Sequence, residues 1–169
     1  CKRCKDIGGL SHRPERPENL KVKKLGIQVN FDFAGPFERS VMKREWLLVS
    51  VDDFVPWVEC YALRNMSDAA LALEHYVAFV RKMVSARADN ESVFKGDKSL
   101  WVKMHKKLGV EPTYSQQYEP QTNGKAEREV RTQVNALRAN LDGVDKRLWC
   151  QCAQFYLPYT RNRIPSRKS

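Results

Sequence analysis

From Gly26 onward the chain alternates. Ile27, Val29, Phe31 and Phe33 stand between Gln28, Asn30 and Asp32. That is the two-residue period of a strand with one apolar and one polar face, stopped by Gly35-Pro36. Residues 46–51 are mostly apolar and read as a central strand. Asp52, Asp53 and Pro56 make a turn, and residues 58–63 form a third strand, so the first three strands make a meander. The period then lengthens. Ser67 or Asp68 caps a helix reaching about residue 80, with Leu71, Leu73, Tyr76, Val77 and Val80 as its apolar stripe. Residues 83–88 form a short strand that ends at Asp89. Residues 98–108 form a helix closed by Gly109, and 110–114 a fifth strand. After a polar loop at 115–124, a long helix over 125–141 carries Val130, Val134, Leu137 and Leu141 as its core stripe. Asp145 caps a last helix running to about Thr160. The order β-β-β-α-β-α-β-α-α predicts an α/β domain, a mixed sheet flanked by helices.

The chain has 169 residues, enough for one domain to bury a core unaided. No apolar run is long enough to span a membrane, which excludes an integral membrane protein. Lys plus Arg is 30 against 20 for Asp plus Glu, a formal charge of +10, so the surface attracts polyanions, nucleic acid first. About half of that charge sits in residues 1–25, where Lys2, Arg3, Lys5, Arg13, Arg16, Lys21, Lys23 and Lys24 face only Asp6, Glu15 and Glu18. Pro14 and Pro17 favour an extended linker there, separate from a core over 26–169. Five cysteines without regular spacing suit a reducing compartment. Cys1 and Cys4 form half of a zinc pattern, and His12 is at most a third ligand. Cys150 and Cys152 read as packed thiols, and the four tryptophans mostly as core residues.

Three acids stand where a carboxylate needs a reason. Asp32 lies on the polar face of the first strand between two Phe residues, Asp89 directly follows the fourth strand, and Glu127 opens the long helix at the edge of its stripe. Arg131 lies one turn beyond Glu127 on the same side, with Arg138 two further turns on. Phosphodiester transfer uses hard divalent cations held by carboxylates, and this set could hold them. Spacing alone leaves that open against chance placement of acids at strand ends. Asp52 and Asp53 read as turn chemistry. Glu91 and Asp97 fall on a loop, and His105 reads as a surface residue beside Lys106 and Lys107.

At these residues the sequence resembles the integrases of retroviruses and LTR retrotransposons, most closely the Copia-type branch. FDFAGPF at 31–37 resembles the strand of the first Asp, RADNESVF at 87–94 the block around the second, and YEPQTNGKAERE at 118–129 the block around the third acid. SVDDFVPWVECYAL resembles the family's hairpin between its second and third strands. CKRCK resembles the end of an N-terminal zinc module, and the tail through NRIP at 162–165 the helix that closes the core. The resemblance implies a ribonuclease-H-like fold: a five-stranded sheet with a three-strand antiparallel meander and two parallel strands. It also implies a catalytic and metal-binding triad of Asp32, Asp89 and Glu127 holding two Mg²⁺ (or Mn²⁺) ions, with Zn²⁺ only in a complete parent module.

The implied activity is 3′-end processing and strand transfer on DNA. Element-end and target DNA would be the partners, bound by Gln121, Asn123, Lys125, Arg128, Arg131 and Arg138. The expected state is a homo-oligomer, and the expected place is the nucleus of a eukaryotic host or a virus-like particle. Two departures stand out. Glu91 replaces the usual Gly after Asp89-Asn90, and the stretch between Asp89 and Glu127 is slightly longer than the family norm. Glu91 keeps open a catalytically inactive, nucleic-acid-binding core. A purely hydrolytic nuclease and a scaffolding module are also compatible with a basic α/β domain.

Overall fold

The computed structural model describes residues 26–80, 82–89, 92–96, 98–114 and 124–163. The basic segment with Cys1 and Cys4, the loop residues Gln121 and Asn123, and Glu91 lie outside the described residues. Five strands form one sheet: β1 (Gln28–Ala34), β2 (Trp46–Asp52), β3 (Val58–Leu63), β4 (Ser85–Ala88) and β5 (Glu111–Tyr114), in the order β3-β2-β1-β4-β5. β1, β2 and β3 pair antiparallel, and β4 pairs parallel with both β1 and β5. The predicted meander-plus-two-parallel-strands arrangement is therefore the one observed.

Alternation assigns each strand residue to a face. Val29 and Phe31 of β1, with Leu48, Tyr61, Ala86 and Ala88, pack against α1 (Ala69–His75) and α2 (Leu100–Leu108). On the opposite face, Leu47, Val49, Val51, Val58, Cys60 and Ala62 pack against α3 (Gly124–Asn140) and a closing helical run. That run comprises α4 (Trp149–Gln151), a wider π-helical turn over Cys152–Tyr156, and α5 (Leu157–Arg161). Cys150 is buried and Cys152 half-buried, as expected of packed thiols; Trp101 and Trp149 are buried, whereas Trp46 and Trp57 are half-buried. No helix among the described residues is long and apolar enough to cross a membrane.

Asp52 is the turn residue that the sequence suggests. Its Oδ1 accepts from Phe54 N (2.8 Å) and Val55 N (3.1 Å), and its Oδ2 from Gly26 N (2.9 Å). A fully buried carboxylate is kept there by backbone donors that knit the β2–β3 turn to the entry of β1. Gly35 has φ +128°, and a Cβ there would meet the Glu45 carbonyl oxygen at 2.9 Å. That close crossing requires glycine.

Three expectations are corrected. Leu71 is 61% exposed, because α1 turns Ala69, Ala70, Ala72 and Leu73 inward instead. The stripe of α3 is rotated. Its buried residues are Ala126, Glu129, Gln133 and Leu137, with Val130 and Val134 only half-buried. His105 is 1% exposed, not a surface residue: Trp101 and His105, one turn apart, face the core together. The His105 Nδ1–H donates to the Val110 carbonyl at 2.9 Å.

Burial lowers the His105 pKa below its ordinary 6.5, outweighing the opposite pull of the Val110 hydrogen bond. The folded state thus resists a proton that the unfolded chain accepts. Its contribution to stability is complete above pH 6.5 and is lost as pH falls from there through the folded pKa. Urea midpoints at pH 7.5 and 5.5 should therefore differ more for the wild type than for His105→Phe. Equal differences would show that His105 carries none of the acid sensitivity.

Candidate active site

β1 carries the first candidate acid at a defined place. Asp32 pairs with Val49 of β2, and Val49 with Cys60 of β3. Residues directly opposite in an antiparallel ladder share a face, so Asp32 shares the face that α3 covers. β4 supplies the second. Gln28, Val29 and Asn30 pair with Ser85, Ala86 and Arg87. The ladder ends there, two residues before Asp32 on β1 and two before Asp89, which lies just past the end of β4. Ala86 and Ala88 face the α1–α2 side, whereas Arg87 donates from Nη2 to Gln28 Oε1 (3.2 Å). Arg87 therefore shares the face of Gln28, Asn30 and Asp32, and Asp89 follows directly on the end of β4.

Glu127 is in the first turn of α3, which packs over β1 and β2. Ala126 is fully buried against Val49 and Val51. Glu129 reaches the β3 side: its carboxylate takes Arg161 from α5, and its charge helps push up the Cys60 thiol, whose rise comes mainly from burial. With about 100° per residue, Glu129 lies about 60° to one side of Ala126 and Glu127 about 100° to the other. Glu127 therefore occupies an exposed flank of α3, on the other side of Ala126 from Glu129. Arg131 and Arg138 lie within about 40° of it on that flank, both exposed. Arg128 is also exposed, whereas Lys125 is half-buried and its amine donates to the Asp52 carbonyl at the end of β2.

Among the described residues, no three His, Cys, Asp or Glu side chains come close enough to share a metal ion. Asp32 and Asp89 suit a hard divalent cation in donor type. Glu127 is of the right chemistry, but does not complete a three-carboxylate group with them in this conformation.

Four residues of this face were not singled out by sequence reasoning. Glu129 and Gln133 are buried and hydrogen-bonded to each other (2.7 Å). Arg161 and Asn162 end the closing run and bond to α3 and β3. The signal available was a polar pair four residues apart, Glu129 and Gln133, lying between the small and apolar positions Ala126 and Leu137.

No family model matches the chain. Among solved structures, the chain is similar over 100% of its length to a chain from the cryo-EM structure of the simian T-cell lymphotropic virus intasome in complex with PP2A regulatory subunit B56 gamma. The TM-score is 0.67 and the sequence identity 15%, and the similarity covers 65% of that longer chain. At this identity the likeness is one of fold: the five-stranded mixed sheet and its flanking helices form an integrase-like, ribonuclease-H-like core.

Proposed function

We propose that this chain is the catalytic core of a Copia-type integrase, a metal-dependent polynucleotidyl transferase that trims DNA 3′ ends and joins them to target DNA. The observation that supports the reading is the parallel pairing of β1 with β4, which carries Asp32 on one strand and ends just before Asp89 on the other, with Glu127 in the first turn of the helix that packs over β1 and β2. Carboxylate oxygens are the donors that a hard divalent cation takes. Asp32, Asp89 and Glu127 are the residues that would hold Mg²⁺ or Mn²⁺; bound there, the cation supplies charge stabilisation at the phosphoryl oxygens and a more acidic attacking hydroxyl.

The remaining roles belong to side chains that position DNA. Arg131 and Arg138 extend the flank of Glu127 as a row of guanidiniums that a phosphate chain can follow. Arg128 adds exposed charge nearby. Replacing Arg131 by Ala should weaken DNA binding across sequences and lower the slope of log affinity against log salt by about one unit. An unchanged slope would place Arg131 outside the interface. DNA ends and target DNA are the proposed partners, in a homo-oligomer.

The testing experiment is strand transfer by the full chain on a short blunt duplex in Mg²⁺ or Mn²⁺, where joined product is expected. A second reading, a nucleic-acid-binding core without catalysis, is favoured by one observation: no three-carboxylate group forms among the described residues. DNA binding without any cleavage or joining would decide for it.

A further inference from the structure

We infer that Arg161 is a positioning residue for Glu127, acting through Glu129; the inference rests on the role proposed above for Glu127. Glu129 is 7% exposed, and its charge is matched from one direction. Arg161 donates from Nε to Oε1 at 3.0 Å and from Nη2 to Oε2 at 3.3 Å, and Gln133 donates to Oε1 at 2.7 Å. A planar guanidinium held at both carboxylate oxygens sets orientation as well as distance. The guanidinium is itself presented from a fixed backbone. Asn162, the next residue, brackets Val58 of β3: its Oδ1 accepts from Val58 N and its Nδ2 donates to Val58 O, both at 2.8 Å. The end of the closing run is thereby pinned to the sheet.

This contact decides how α3 is rolled about its axis. The apolar residues Val130, Val134, Leu137 and Leu141 would centre the sheet-facing side about 65° from where Ala126, Glu129, Gln133 and Leu137 centre it in the structure. With the apolar setting, Glu127 would be drawn toward the underside of the helix. In the observed setting it stands on an exposed flank of the helix. A roll of that size moves a group about 5–6 Å from the axis by roughly 6 Å, more than a metal site tolerates. The buried Glu129 charge is compatible with the observed setting only while Arg161 pairs with it. Arg161 thus holds the roll of α3, and the roll holds Glu127.

The test compares the wild type with Glu129→Met/Arg161→Met, Arg161→Lys and Asp32→Asn in the full chain. The double substitution leaves no unpaired charge and preserves volume, so folding should be retained. Three quantities are read: the melting temperature, the affinity for Mn²⁺ alone by electron paramagnetic resonance, and strand-transfer kinetics resolved into kcat and KM for DNA. The expected result for the double variant is a near-wild-type melting temperature, with Mn²⁺ affinity and kcat each lower by about 10–100-fold and KM unchanged. Wild-type Mn²⁺ affinity and kcat in a folded double variant would overturn the inference, while loss of both in Asp32→Asn would leave the reading of the site intact. Absence of Asp32-dependent Mn²⁺ binding and of strand transfer in the wild type would remove that reading, and this inference with it. Should the double variant not fold, Arg161→Lys decides. It keeps the charge and loses the two-point geometry, so a kcat that falls beyond the folded fraction supports positioning, and a kcat that tracks the folded fraction overturns it.

Discussion

Asp32→Asn should abolish Mg²⁺-dependent end trimming and strand transfer while leaving DNA binding in place. Asp32 is the acid most firmly placed by the fold, within β1 and paired with Val49 of β2. A cation that stabilises transition-state charge supplies several kcal/mol. Losing it corresponds to a rate loss of about 10²–10³-fold or more. The amide keeps the size of the carboxylate, so the half-buried site should not collapse. Without divalent cations, removing a negative charge near a phosphate path does not weaken electrostatic attraction, so binding measured by fluorescence anisotropy in EDTA should hold or tighten. Glu127→Gln should behave in the same way, because Glu127 is proposed to hold the same cation. A rate for Asp32→Asn within twofold of the wild type would end the proposal that these acids carry the chemistry.

The largest stability effect should come from Trp101→Ala. Trp101 is 2% exposed and is the centre of an aromatic cluster, with ring centroids 5.4 Å from Phe31, 4.8 Å from Phe94 and 4.8 Å from His105. The contacts tie β1, the segment after β4 and α2 into one packed unit beneath the strand that carries Asp32. Truncating a buried Trp costs about 3–5 kcal/mol through lost transfer energy and the cavity left behind. Against a typical total of about 5–15 kcal/mol, that is a large share. Urea unfolding should show a lower midpoint with an unchanged slope. A loss below about 1 kcal/mol would mean that the cluster relaxes around the gap and that its ring contacts contribute little.

Most of the fold was legible because its determinants are local. The alternation at 27–33, the apolar run at 46–51 and the Gly109 stop each act within a few residues, and all three appear where expected. Gly109 has φ +65° and closes α2 as its left-handed cap. Asp52 was legible for the same reason: a short acid before a turn accepts from the backbone two and three residues on. The face of Asp32 was legible, because the polar side of β1 follows from alternation, but the parallel pairing of β1 with β4 follows from no local pattern.

What the sequence could not settle is the face that a helix buries when that face is polar. Counting apolar positions on α3 selects Val130 and Val134, because hydrophobic transfer is the one burial term that can be read residue by residue. Glu129 can be buried only if Arg161, 32 residues on, reaches it, and His105 only because its Nδ1–H meets the Val110 carbonyl and Trp101 covers its ring. Desolvation of a polar group is offset by a partner, and the identity of the partner is a tertiary fact. The sequence by itself thus determined the elements, their order and which acids merit attention. The tertiary structure alone decided which face of α3 meets the sheet, and so on which side of that helix Glu127 stands, because charged groups choose their burial by who can answer their charge.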